Sequence, residues 1–106
     1  ADAGKLGIGV DSNQNHMHPG KVLTSMLKRV DLAVEKTLTD ANAGTWKPGL
    51  TVLGLAEGGV GYALDDHNKA LITPEIKAAL DKAEGAIKSG AVKVHDYMSD
   101  QKCPVQ

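Results

Sequence analysis

Leu6, Ile8 and Val10 alternate with Gly7 and Gly9, and the run stops at Asp11 in a string of small polar side chains, Ser12 to Asn15. A short apolar stretch that opens into polar residues is the pattern of a sheet strand whose carboxyl end meets a ligand crevice. The two glycines leave one face bare and permit close approach of another element. Ser12 to Gly20, S-N-Q-N-H-M-H-P-G, has loop composition. Val22 and Leu23 fit a brief strand or the approach to a helix, with Thr24 or Ser25 as its cap. Leu27, Val30, Ala33, Val34, Leu38 and Ala41 then recur at steps of three and four, which makes one stripe on a helix. Lys28, Arg29, Asp31, Glu35, Lys36 and Asp40 mostly avoid that stripe, and Asn42 and Gly44 supply a stop. The spacing predicts a helix of about five turns packed on a sheet.

After the turn T-W-K-P-G at Thr45 to Gly49, with Trp46 set to lie over the helix end, Leu50 to Leu55 reads as a strand. Glu57 to Gly61 breaks it, Tyr62 to Leu64 resumes extended structure, and Asp65 to Lys69 is a polar turn. Thr73-Pro74-Glu75 is a helix start: Thr73 can cap, Pro74 suits the first position and Glu75 favours the positive end. Ile76, Ala79, Leu80, Ala83 and Ile87 form its buried stripe, Gly85 is tolerated, and Ser89 and Gly90 end it. Ala91 to Val94 reads as a final short strand or an extended packing segment. Strand, helix, strand, short strand, helix, strand is an α/β order. Its strands are short and rich in glycine, and the first has no evident partner upstream. A half-sheet of this kind exposes backbone edges and apolar helix faces, which points to a single partial unit that needs further polypeptide.

The 106 residues suffice for one modest domain. With 42% hydrophobic residues but no Phe, one Trp and two Tyr, any core is aliphatic. Twelve Lys and Arg balance thirteen Asp and Glu, and neither half carries the basic excess of a nucleic-acid surface. A single cysteine, Cys103, precludes an internal disulfide; it is expected on the surface and says little about compartment. The sequence has no run of 18 apolar residues. Its opening residues lack the basic and hydrophobic parts of a signal peptide, so any export signal either was never there or lies outside this stretch.

Asp11 is the leading candidate for chemistry. A carboxylate at a strand end can accept two hydroxyl hydrogen bonds from one ligand, as from a sugar diol. The plain alternative is a loop-capping Asx turn through Asp11 or Asn13. Ser12, Asn13, Gln14 and Asn15 can add hydroxyl and amide contacts or serve as ordinary loop residues. Ser25 and Lys28 meet an S-x-x-K pattern, but the companion motifs of acyl-transfer enzymes are missing, so no catalytic residue is assigned. Lys28 fits better as a cation near the crevice, one turn into the expected helix, or as a solvent-facing lysine. His16 and His18 flank Met17, and His67 and His95 adjoin aspartates; without a metal-ligand signature no metal site is assigned. G-L-A-E-G-G-V-G at Gly54 to Gly61 lacks the ends of a phosphate loop, so its glycines permit a tight reversal or an approach of backbone to ligand. Glu57, Asp65 and Asp66 read as a solvated turn rather than an acid/base pair. No cofactor is implied.

G-V-D-S-N-Q at Gly9 to Gln14 resembles the basic membrane protein family of ABC-transporter substrate-binding lipoproteins. So do P-G-K-V-L-T-S-M-L-K-R-V-D at Pro19 to Asp31, G-L-A-E-G-G-V-G-Y-A at Gly54 to Ala63, N-K-A-L-I-T-P-E at Asn68 to Glu75, and I-K-S-G-A-V-K-V at Ile87 to Val94. The likeness runs in the family's order over residues 6–94, leaving 95–106 as a tail. It implies a partial type I periplasmic-binding-protein fold, the C-terminal third of a two-lobe protein that encloses a purine nucleoside or related small metabolite and delivers it to an ABC permease. Asp11 would contact ribose hydroxyls, Lys28 would reach the same sugar, and Gly54 would lie near hinge backbone. The base-stacking aromatics and the lipid-anchoring cysteine of relatives have no counterpart here. The protein would be periplasmic or otherwise extracytoplasmic, and anchored only through an upstream lipoprotein signal. The missing lobe would come from another chain or from self-association. The competing expectation is a structural or oligomerisation domain of the same fold that binds nothing.

Overall fold

The computed structural model describes residues 2–104. A three-stranded sheet in the order β1-β2-β3 forms its centre, from β1 (Gly7–Asp11), β2 (Val22–Lys28) and β3 (Val60–Tyr62). Helix α1 (Val30–Asn42) follows β2, α2 (Pro74–Lys88) follows β3, and a short α3 (Tyr97–Asp100) lies in the tail. β1 and β2 run parallel, with Gly9 opposite Ser25 and Asp11 opposite Leu27, and β3 returns antiparallel with Val60 opposite Lys28. The parallel pair is joined by a loop with one 3-10 turn, Asn15–Met17, where a helix is usual.

The order is α/β as expected, but the first helix is shorter and starts later than its periodicity suggests. Residues 24 to 28 belong to β2, so Thr24 and Ser25 are not caps. Thr24 Oγ1 donates to Ala63 O at 2.7 Å and Ser25 Oγ donates to Asn15 Oδ1 at 2.8 Å, so both hydroxyls serve cross-sheet and loop contacts. Pairing with a strand on each side overrides the helical spacing, which a strand of this length also tolerates. Lys28 therefore ends a strand rather than occupying a helical turn. Helix α1 begins after Arg29 without a side-chain cap. Its entry is held by the Arg29 N–H donating to Gly59 O at 2.9 Å.

Helix α2 follows its sequence signals closely. Thr73 accepts from the Ile76 N–H at 3.4 Å, Pro74 opens the helix, and Glu75 lies in the first turn. The Lys88–Glu84 pair at 2.6 Å and a Lys77–Asp81 pair brace its exposed side. Leu50 to Leu55 and Ala91 to Val94 form no strand; Leu50 is 95% exposed and has no ladder neighbour. Trp46 is also exposed, its backbone N–H donating to Asp40 O near the end of α1.

The apolar stripes of both helices exist but are not covered. Neither α1 nor α2 contains a buried residue, and Val30, Val34, Leu38 and Ile76 are all exposed. Ala63 and Ile72 are the buried hydrophobic residues, whereas Asn15, Ser25 and Asn68 have no exposure at all. The surface is 8230 Å², against about 5,700 Å² for a compact protein of this mass. The radius of gyration is 16.7 Å, against about 13 Å for a compact chain of this length. The excess, roughly 2,500 Å², is about three times the share one partner contributes to an ordinary interface. Hydrophobic burial within the described residues is too small to organise them, and hydrogen bonding sets the local geometry instead.

One glycine is fixed by that geometry. A Cβ on Gly9 would lie 2.5 Å from Ser25 Oγ and 3.1 Å from Gln14 Cβ, so the loop can lie on the sheet only if residue 9 has no side chain. Gly9→Ala is expected to lower stability by about 1–3 kcal/mol through overpacking. Gly61→Ala, with open space around its would-be Cβ, should stay within about 0.5 kcal/mol. Urea unfolding of both variants checks the contrast.

Candidate functional site

Parallel pairing brings the carboxyl ends of β1 and β2 side by side, and those ends are Asp11 and Lys28. Lys28 Nζ meets Asp11 Oδ1 at 2.8 Å, with the two side chains 59% and 64% exposed. The hydrogen bond from Lys28 to Asp11, and then the carboxylate's charge, raise the lysine pKa above its usual value and keep it protonated. Asp11 also has a φ of +81°, the left-handed region that non-glycine residues seldom occupy. Strain of this kind persists where the surroundings hold it, and it concentrates at functional positions. Ser12 is exposed directly after it.

The loop beyond Asp11 is pinned through a hydrogen-bond network that runs from the surface to the buried Asn15 and Asn68. Gln14 Nε2 donates to Val10 O at 2.9 Å, and the Gln14 N–H donates to Ser25 Oγ at 3.0 Å. Asn13 forms an Asx turn, its Oδ1 accepting from the Asn15 N–H at 3.0 Å. Its Nδ2 donates to Asp65 Oδ2 at 2.7 Å, and Asn15 Nδ2 donates to the same oxygen at 3.1 Å. Asp65 Oδ1 accepts from the His67 N–H at 2.8 Å. The Asp65 N–H donates to Asn68 Oδ1 at 2.8 Å, and Asn68 Nδ2 donates to Leu23 O and Ala63 O at 2.8 and 2.9 Å. Among the described residues every buried side-chain polar atom has a partner. The hydrogen bond from Asn13, aided by those from the His67 backbone and Asn15, holds the Asp65 carboxyl below the usual aspartate range.

Five residues were expected at a ligand site, and the structure treats them unequally. Asp11 and Lys28 meet, Ser12 stands beside them, and both polar ends of Asn13 are already engaged. Gly54 belongs to the turn that delivers β3 to Lys28: its N–H donates to Glu57 Oε2 at 2.8 Å, and its carbonyl accepts from the Gly59 N–H at 2.9 Å. Ser25 and Lys28 do not pair; Ser25 is sealed against Asn15, and strand spacing of three sends the two to opposite faces. Among the described residues no three His, Cys, Asp or Glu side chains converge as metal ligands. Asp66 is in a solvated turn and pairs with Lys69 at 2.7 Å. Asp65, read with it as a surface residue, instead turns inward. Nothing local in D-D-H-N-K separates the two, because Asp65 finds its partners 50 and 52 positions away.

The concavities near this region are shallow. One of about 190 Å³ lies beside Lys28, against Arg29, Val30, Leu53 and Gly59. Two others, of about 360 and 370 Å³, run along α1 against Leu53 and do not include Asp11 or Lys28. Asp11 lies outside all three, on an open sheet end. A small-molecule site normally covers most of its ligand, and this one offers a single wall.

No family model matches the chain. It is 34% identical to basic membrane protein D of Borreliella burgdorferi over 89 residues, covering 82% of this chain and 26% of that protein. It is 44% identical over 57 residues to uncharacterized lipoproteins of Pyrococcus abyssi and Pyrococcus horikoshii, covering 54% of this chain and 14% of each. A solved ABC transporter solute-binding protein from Aeropyrum pernix K1 superposes with a TM-score of 0.67 at 22% identity, over 89% of this chain and 34% of that one. The fold is therefore that of the ABC-transporter solute-binding class. Within that class the chain belongs to the basic membrane protein family. It spans about a quarter of the length of basic membrane protein D and a smaller share of the Pyrococcus lipoproteins. Its relatives are named for solute binding and membrane association, in keeping with the expectation that it is not an enzyme.

Two outcomes follow from the geometry. Asp11→Gly removes the left-handed strain and should match or exceed the parent in stability, whereas Asp11→Ala should fall below Asp11→Gly by about 1 kcal/mol in chemical unfolding. Because the folded Asp65 pKa is depressed, its contribution is complete above the ordinary aspartate value and is lost as pH falls through the lower folded value. Amide-exchange protection at Gln14 and Asn15, corrected for intrinsic rates, should hold from pH 7 to about 5 and decline only below about 4.

Proposed function

We propose that this polypeptide is the C-terminal portion of a two-lobe extracytoplasmic receptor that binds a purine nucleoside or related small metabolite for an ABC importer. The Asp11–Lys28 pair at the joint end of two parallel strands carries the reading. Asp11 accepts hydrogen bonds from two neighbouring hydroxyls of the sugar, Lys28 donates to a sugar oxygen, and Ser12 lies within the same rim. An exposed ion pair contributes little to stability, so a ligand can part it cheaply. Enclosure by a second lobe then removes water and strengthens the new charge-assisted bonds. The open sheet end, the uncovered helix stripes and the partial coverage of longer relatives all support a missing opposite wall. The lipoprotein relatives support an extracytoplasmic setting, and among the described residues no helix is long and apolar enough to cross a membrane.

A second reading, a domain that self-associates and binds nothing, is favoured by the same exposed apolar residues. Titration calorimetry with adenosine, guanosine and inosine separates the two. Saturable heat is expected with the two-lobe polypeptide and none with residues 1–106 alone. Asp11→Ala in the former should weaken binding at least tenfold. Unchanged affinity would remove Asp11 from the site, and oligomers of the two-lobe polypeptide that ignore all three nucleosides in light scattering would favour the second reading.

A further inference from the structure

We propose that Asp65 is a positioning residue for the ligand site: by clamping Asn13 and Asn15 it holds Asp11 in the conformation that presents its carboxylate. This rests on the reading of Asp11 as a ligand contact. Asp65 is not itself at the rim. Asp65 Oδ2 receives two side-chain amides and Oδ1 a backbone N–H, so the carboxylate is occupied by the loop it holds.

The need for a clamp comes from Asp11 itself. Its backbone sits at φ +81° without the freedom of glycine, so the segment after it must be over-determined if that conformation is to persist. Residues Ser12 to Gln14 have little apolar burial to supply this. Hydrogen bonds fix them from two sides: Gln14 is tied to Val10 O and Ser25 Oγ, and a second path runs through Asp65. Asn68, wholly buried, is anchored to the sheet at Leu23 O and Ala63 O. It orients Asp65 through the backbone N–H, and Asp65 gathers the Asn13 and Asn15 side chains. Asn15 then meets Ser25 on the strand opposite Gly9. The sheet thus reaches the loop at two points, and Asp65 is where the second point joins. An aspartate suits this place because both its oxygens accept, Oδ2 from the two side-chain amides and Oδ1 from the His67 N–H. An asparagine there offers one acceptor oxygen, so its NH2 must face either the two side-chain amides or the His67 N–H, and it carries no charge to strengthen the bonds it keeps.

The test uses the two-lobe polypeptide, with adenosine, guanosine and inosine as probes. Asp65→Asn should weaken binding at least tenfold in the parent background and less than twofold in Asp11→Ala, since it acts through Asp11. Independent, additive losses in the two backgrounds would overturn the proposal, as would unchanged affinity in Asp65→Asn. Hydrogen exchange by mass spectrometry on the same protein supplies a readout that needs no ligand. Peptides covering residues 12–17 should exchange at least tenfold faster in Asp65→Asn while those of α2 stay unchanged. If the parent binds no nucleoside, the ligand reading of Asp11 fails, and with it the positioning role. Exchange that stays slow at residues 12–17 would refute the clamp whatever the ligand result.

Discussion

A partly buried hydrogen-bonded path, from Asn68 through Asp65 to Asn15 and Ser25, is the constraint on which the described structure depends. In most small domains an aliphatic core performs that task. Among the described residues two hydrophobic ones are buried, and the fully enclosed side chains are amides and a hydroxyl. Buried polar groups are costly unless every partner is present, and here all are satisfied. The arrangement is therefore specific rather than merely cohesive: it admits one register of β1 on β2, with a bare Gly9 beneath the loop.

That register has a chemical consequence. Parallel strands end on the same side, so two residues far apart in sequence, Asp11 and Lys28, meet as an acid and a cation. Neither is buried, and neither is held by the other strongly enough to resist a ligand. The backbone at Asp11 is left-handed, and the loop held by the amides of Asn13, Gln14 and Asn15 begins directly after it.

The uncovered faces belong to the same logic. Helices α1 and α2 have amphipathic sequences and no buried residue, and Leu50 and Val52 extend into solvent without a strand to pair with. One wall of polar groups can orient a ligand, but affinity needs the water exclusion that a second wall supplies. The described residues thus present an exposed acid and cation at an open sheet end, without enclosure.

The α/β order, both long helices, the Thr73 cap and the candidacy of Asp11 and Lys28 were legible in the residues, because each is written in local spacing or in a motif a few positions long. Asn13 was legible as an Asx turn for the same reason. The end of β2 was not: Thr24 to Lys28 carries a helical period, and only ladders on both sides make it a strand. Leu50 to Leu55 erred in the opposite sense, since strand propensity without a neighbour forms no ladder. Asp65 could not be told from Asp66, because its partners lie some fifty residues away and adjacency says nothing about which carboxylate turns inward. The sequence by itself determined the two long helices, the start of α2 and the chemistry that each segment carries. Tertiary pairing alone decided which of them meet, because strand register and buried hydrogen bonds join groups whose distance along the chain leaves no local trace.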